Sequence, residues 1–383
     1  FSPRLGPIAV RPWRTCANPT PLPTPEELRL FQTLTQLPGV SGQEKAVRDV
    51  MKTELARHAD ELVFDELGGV FAVRRCGREN APRVMLSGHM DEIGFLVLDI
   101  TPRGLMHLYP VGRSWNQVLL AQRVTVYSGE TGQAWPGTIA SIPPHLLTED
   151  VASRPMPVEK MMVDIGAVSR EEVLALGVRP GDMVVVDGPF VPLFGGRKLL
   201  SKAWDNRFGC ALALEVLRET AGEKLGVDLY IGATVQEEVG LRGARTAAWT
   251  IAPDLAFVFE SSAANDNTGD ENVFGRQGEG VLLRFADRTT LTHRGLFRYA
   301  VKLAEREGIP HQYFMAAGST DAGEIHLVRS GVPALTLGVA SRYIHTNSTI
   351  LDYRDYRAAK AFTLALLRDL DAVKVRDIKA YNR

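Results

Sequence analysis

The sequence predicts an α/β protein interrupted by a small inserted β domain. Strand-like and helix-like segments alternate up to about residue 97 and again after Lys198. Between about Leu98 and Leu193 they give way to short β-rich runs separated by Gly/Pro turns. The length, 383 residues, also exceeds what one compact core usually holds.

In chain order, residues 1–24 carry Arg4, Arg11 and Arg14 among six prolines. With no apolar secretion core they suggest an N-terminal arm. Leu28, Leu30, Phe31 and Leu34 give Pro25–Gln36 helical spacing. Ser41 and Glu44, three apart, form a capping-box pattern that opens a helix to about His58. Strand-like runs follow at 62–64 and 70–73, and the apolar run 84–86 suits a strand buried on both faces. The insert has strand-like runs at Met106–Val111, 124–127, 137–142, 161–164 and Met183–Val186. Its one expected helix is 169–176, with Ser169 and Glu172 in cap positions. Such close-spaced strands suggest a small barrel or sandwich. Beyond Lys198 the pattern is helix 206–219, strands 227–235, 255–259 and 281–285, then helix 291–307. Strand 312–315, helix 322–329, strand 334–339 and a long helix 353–370 close the chain. The division is an arm (1–24), an α/β unit (25–97 and 194–383) and an inserted β unit (98–193).

A net charge of −1 gives no footprint for nucleic acid or an anionic membrane surface. No apolar run approaches the length of a membrane span. The expected partner is a small molecule or another copy of the chain. Cys16, Cys76 and Cys210 lie far apart, which suits a reducing, cytoplasmic setting.

Open α/β sheets collect ligands at the carboxyl ends of their strands, and five segments bring acids or histidines there. His89 and Asp91 follow the buried strand two residues apart, so both can face one way. The imidazole can then bind a metal while Asp91 orients it, although alone the pair favours a structural reading. Asp205 sits where an N-cap is common, the reading that base rates favour, although its two oxygens could equally bridge two cations. Glu237 and Glu238 close an apolar strand, where charge is costly unless paired or metal-bound. Neighbouring side chains diverge, so one can ligate while the other reaches water; the residues alone do not say which. Glu260 ends strand 255–259, and His345 follows strand 334–339. Two histidines, one bridging aspartate and two terminal carboxylates would serve two divalent cations and leave room for a water. The donor set contains no thiolate and suits Zn²⁺, with Co²⁺ or Mn²⁺ as alternatives.

The stretches that carry these residues are Gly88-His-Met-Asp-Glu-Ile-Gly94, Lys202-Ala-Trp-Asp-Asn-Arg207 and Thr234-Val-Gln-Glu-Glu-Val-Gly-Leu-Arg-Gly-Ala244. Ser319-Thr-Asp-Ala-Gly-Glu-Ile-His326 and Arg342-Tyr-Ile-His345 complete the series. In this order they resemble the dinuclear aminopeptidases that form tetrahedral (TET) particles, including glutamyl and deblocking aminopeptidases. The resemblance covers nearly all of the chain after about residue 25. It implies a helix-flanked mixed β-sheet of the zinc-peptidase type with an inserted small β-barrel used in assembly. It also implies that His89 and Glu260 hold one cation, Glu238 and His345 the other, and that Asp205 bridges them. Glu237 becomes the general base and Asp91 the residue that orients His89. Short peptides become the substrates, and a dimer or a tetrahedral dodecamer the assembly.

The chain departs from the family where Glu260 replaces a common Asp, which predicts shifted metal preference. Trp204, and Ser319 in place of a common Gly, are expected to alter the pocket. Asp321 has two readings, a contact to the substrate amine and a helix N-cap. Three rivals remain. Another amide hydrolase, an aminoacylase or a carboxypeptidase, shares the ligand set; for a carboxypeptidase Arg342 would bind the substrate carboxylate. A glucan hydrolase is disfavoured because adjacent Glu237 and Glu238 would point apart. A non-catalytic peptide-binding scaffold would have no use for the acid and histidine set.

Overall fold

The computed structural model describes residues 21–269 and 274–382. Most of the expected arm, residues 1–20, lies outside them. The helices are α1 Pro25–Gln36, α2 Lys45–Ala56, α3 Glu149–Ala152, α4 Arg170–Ala175, α5 Trp204–Glu219, α6 Arg242–Ile251, α7 Arg294–Arg306, α8 Ala322–Ile325, α9 Tyr353–Asp369 and α10 Ala372–Ala380. The first nine strands are β1 Glu61–Phe64, β2 Val70–Arg74, β3 Arg83–His89, β4 Gly94–Ile100, β5 Met106–Val111, β6 Arg123–Tyr127, β7 Ala134–Ile139, β8 Met162–Asp164 and β9 Met183–Val186. The others are β10 Val191–Leu193, β11 Lys198–Ser201, β12 Asp228–Thr234, β13 Leu255–Ala264, β14 Val281–Ala286, β15 His311–Met315, β16 Ala334–Arg342 and β17 Thr349–Asp352.

One sheet of eleven strands runs β1-β2-β12-β3-β13-β16-β17-β11-β10, with β14 paired to β16 and β15 to β14. Its centre, β12–β3–β13–β16, is parallel. Antiparallel β2, β14 and β17 flank that centre, so the sheet is mixed. Every residue of β3 after Arg83 is buried, as a strand covered on both faces requires. Residues of α1, α2, α5, α7 and α9 share one core with the sheet, and α6 and α8 pack into a second core. Phe31 anchors the first, with its ring centroid 5.5 Å from Trp204 and 4.8 Å from Tyr356, both edge-on.

Where β3 crosses α5, Gly88 meets Gly209 with no side chain between. A Cβ on Gly88 would lie 2.7 Å from the Gly209 backbone, and one on Gly209 2.8 Å from Gly88 Cα. The glycine pair lets the helix sit directly on the strand that ends in His89.

The inserted β domain is a closed barrel, β4-β5-β8-β7-β6-β9, not a sandwich. Phe95, Val97, Val124, Val126, Val163 and Val184 fill its interior. Its first strand begins at Gly94, upstream of residue 98, within an apolar run that shows no shift in composition. Other differences have local causes. The Ser41/Glu44 pair is not a capping box. The Ser41 hydroxyl donates to Asp91 Oδ2 at 2.6 Å, and α2 begins after Glu44 with no side-chain cap. The buried Asp91 carboxylate needs donors, and the Ser41 hydroxyl supplies one. Helix 322–329 shortens to α8, Ala322–Ile325, followed by turns.

Candidate metal centre

The parallel register sets the site. Thr234 pairs with His89 and Ser87 with Val258, so β3 and β12 end at one level and β13 runs past it. His89 is the last residue of β3; Glu237 and Glu238 follow β12, and Glu260 lies where β13 passes that level. His345 comes from the turn after β16.

Asp205 comes from the start of α5, and the expected cap reading fails there. Asp205 (φ −87°, ψ 105°) and Asn206 (φ −125°, ψ 46°) are not helical, and the peptide between them is cis. Asn206 Oδ1, not Asp205, accepts the Gly209 N–H at 3.0 Å and so performs the capping task. Asp205 is left to face the site. Its Oδ1 is 3.1 Å from His89 Nε2 and its Oδ2 3.2 Å from His345 Nε2. One carboxylate therefore stands between two imidazoles with an oxygen toward each.

The remaining acids close around this axis. His89 Nε2 is 3.7 Å from Glu260 Oε1 and 3.9 Å from Glu237 Oε2, and His345 Nε2 is 3.5 Å from Glu238 Oε1. Donor atoms of His89, Glu237 and Glu260 lie within 4.8 Å of one another, as do those of His89, Asp205 and Glu238. Glu238 Oε1 and Glu260 Oε2 are buried without a hydrogen-bond partner. Buried carboxylate oxygens are costly to leave unpaired, and these two fit the role of cation ligands.

The electrostatics carry the same mark. Burial and the Asp205 charge push Glu238 and Glu260 each up to about 8. Burial, with Glu260 and Glu238 adding, also raises Glu237 well above a normal carboxyl. Burial disfavours charge on His345, but Asp205 and Glu238 outweigh it and lift the imidazole to about 9. Burial likewise opposes charge on His89, whose contacts to Asp205 and Asp91 raise it above its usual value. Asp205 is held below its usual value despite burial, because both imidazoles face it. Divalent charge placed among these groups would favour ionised carboxylates and neutral imidazoles.

Asp91 lies beneath this group, fully buried. His89 Nδ1 is 3.1 Å from the Asp91 carbonyl and 3.3 Å from its Oδ1. The Asp91 carboxylate also accepts the backbone N–H of Glu237 and of Glu238, each at 3.0 Å. Cys210 donates its thiol to the His89 carbonyl, and burial pushes that thiol up to about 11, so it offers no thiolate.

Three expectations about neighbouring residues change. Asp321 makes no side-chain cap to α8. It is fully buried and contacts the Thr234 hydroxyl, which also reaches the Gly88 carbonyl. Burial raises Asp321 to about 7. Trp204 lies in the core, its indole N–H on the Leu199 carbonyl, and does not shape the pocket. Arg342 is clamped by both oxygens of Asp266 at 2.7 and 2.8 Å, so it is not open to a substrate carboxylate.

The metal cluster opens into a cleft of about 740 Å³ whose wall includes Ser319, Phe314, Arg113, Arg284 and Arg288. Arg284 is buried, reaching Ser262 at 2.9 Å and Asp287 at 3.2 Å, and its Nε has no partner. Sequence reading passed over it, although a charge inside the apolar strand Val281–Ala286 was the available signal.

This fold is that of a known class. The M42 glutamyl aminopeptidase family profile matches residues 68–362, and the chain belongs to that family of aminopeptidases. It is 38% identical over 352 residues to the glutamyl aminopeptidase of Lactococcus lactis subsp. cremoris, covering 91% of this chain and 98% of that one. A TET aminopeptidase from the marine sediment archaeon Thaumarchaeota archaeon SCGC AB-539-E09 superposes with a TM-score of 0.89 at 35% identity, over 93% of this chain and 100% of that one. The Pyrococcus horikoshii TET1 peptidase, described as assembling into a tetrahedron or a large octahedral shell, gives 0.81 at 30% identity, over 90% and 100%.

Proposed function

We propose that the chain removes the N-terminal residue of short peptides at a site holding two divalent cations. The observation that carries this reading is Asp205, with one oxygen toward His89 and the other toward His345. His89 and Glu260 would hold one cation, Glu238 and His345 the other, and Asp205 both. The unpartnered Glu238 Oε1 and Glu260 Oε2 fit that role. The oxygen and imidazole donors suit Zn²⁺ best, with Co²⁺ or Mn²⁺ as alternatives.

When bound, the cations supply Lewis-acid polarisation of the scissile carbonyl and acidify the attacking water. Glu237 lines the cleft and takes the water's proton as the C–O bond forms; it returns that proton to the amine as the C–N bond breaks. Asp91 holds the His89 ring through Nδ1 and fixes the backbone of both glutamates. Asp321, buried behind Thr234, supports the end of β12; contact with the substrate amine would require it to be uncovered. Arg113 and Arg288 on the cleft wall favour a peptide whose first side chain is acidic.

In this reading the α/β unit is catalytic, and the inserted barrel, β4 to β9, serves assembly as a dimer or dodecamer in the cytoplasm. The TET relatives support the assembly. Among the described residues no helix is long and apolar enough to cross a membrane.

The test compares free, N-acetylated and C-amidated forms of one peptide beginning with Glu, alongside Leu and Lys versions. The reading requires cleavage of the free and amidated forms and none of the acetylated one. Cleavage of the acetylated form would establish a different amide hydrolase.

A further inference from the structure

The geometry points to Glu44 as a positioning residue that fixes the directions of Glu237 and Glu238 by anchoring the backbone just before them. Glu44 is 3% exposed and belongs to the loop between α1 and α2, far from the metal cluster in sequence. Its side chain makes no cap to the helix it precedes. Its Oε1 accepts the N–H of Gly42 at 2.7 Å and the N–H of Gln236 at 3.1 Å. The next two amides, of Glu237 and Glu238, go to Asp91 Oδ1 and Oδ2. Three consecutive N–H groups are thus held by two carboxylates.

Asp91 has no capacity left for Gln236. Its Oδ1 also faces His89 Nδ1 and its Oδ2 takes the Ser41 hydroxyl, so the Gln236 amide depends on Glu44. That amide belongs to a strained residue. Gln236 sits at φ +56°, a left-handed conformation that a residue with a Cβ adopts only when its surroundings hold it there. With the anchor gone, Gln236 relaxes toward negative φ, and the chain leaves it in a new direction. The split that sends Glu237 toward His89 and Glu238 toward His345 then loses its definition. What the Gln236 amide meets at this position is an acceptor oxygen, Glu44 Oε1 at 3.1 Å.

Two variants separate that role from general packing. Glu44→Gln keeps an acceptor oxygen at the same reach; Glu44→Met keeps the length and loses it. Hydrogen–deuterium exchange of the segment 235–241 is measured on metal-free protein, and kcat and KM on metal-loaded protein. The exchange measurement does not depend on the peptidase reading, whereas the kinetic one rests on it. Glu44→Met should lose protection in 235–241 and lower kcat about 10- to 100-fold, the scale for lost support of metal ligands, with KM little changed. Glu44→Gln should match the wild type in both measurements. Wild-type protection and kcat in a folded Glu44→Met protein would overturn the inference, as would a loss confined to KM. If Glu44→Met fails to fold, Glu44→Gln decides: wild-type exchange and kcat support the role, and loss of either overturns it. Lost protection in Glu44→Met with no peptidase activity even in the wild type would uphold the anchor and refute the peptidase reading alone.

Discussion

Asp205→Asn removes one charge and one acceptor oxygen while keeping the side chain's shape. The carboxylate oxygens lie 3.1 and 3.2 Å from the two imidazoles, so the amide nitrogen of Asn must face one of them. A cation held among donor atoms no more than 4.8 Å apart sits close to this charge. At about 4 Å and an effective dielectric near 20, a unit charge pair is worth about 4 kcal/mol. Each 1.4 kcal/mol is about tenfold in affinity, so a loss of at least ~100-fold for each of two cations is expected. The assay titrates metal-free protein with Zn²⁺ against a chromophoric chelator, with circular dichroism to confirm the fold. Wild-type protein should take two equivalents, and the Asn variant should lose affinity for both. An Asn variant that binds two equivalents at wild-type affinity would refute the bridging argument; loss of one site alone would make Asp205 an ordinary terminal ligand.

Glu237→Gln keeps shape but not basicity, so it should bind two cations normally while kcat falls about 10²- to 10⁴-fold, the usual worth of a general base. Full activity, or a lost cation, would remove Glu237 from that role. In metal-free protein, Glu238 and Glu260 at about 8 and His345 at about 9 lie above their usual 4.5, 4.5 and 6.5. Such groups stabilise the fold fully below their unfolded values and lose that contribution as pH rises through the folded ones. Asp205 and Asp91 are depressed and act oppositely, only as pH falls toward the acid range. The metal-free Tm should therefore fall from about pH 6 to about pH 9, and the gap to metal-loaded protein should widen. A flat or rising metal-free Tm across that window would show that the cluster is not proton-loaded. Gly88→Ala should cost about 1–3 kcal/mol of stability, because its Cβ meets the Gly209 backbone at 2.7 Å. An unchanged Tm would mean that α5 does not rest on β3 as closely as described.

Long, strongly patterned segments were legible in the sequence. The buried run 84–86 marked β3, the apolar spacing of Pro25–Gln36 placed α1, and the long closing helix was expected at 353–370. What escaped was short or bland. Arg242–Ile251 is alanine-rich with few large apolar residues, and β10, β11 and β17 have three or four residues each. Local motifs failed where distant partners intervened. Ser41 and Glu44 have cap spacing, but Asp91 and Gln236 engage their side chains. Asp205 stood at a cap position, but Asn206 caps and frees it. For Glu237 and Glu238 the sequence offered two equal glutamates. Their separation depends on a left-handed Gln236, and no residue type there announces it.

The most direct test of the two-cation peptidase account is a titration of metal-free enzyme with Zn²⁺, Co²⁺ and Mn²⁺ while cleavage of a free Glu-peptide is followed. The account predicts that activity is absent without metal and reaches its plateau at two equivalents per chain for at least one of these ions. Activity that persists under chelator, or a plateau at one equivalent, would contradict it.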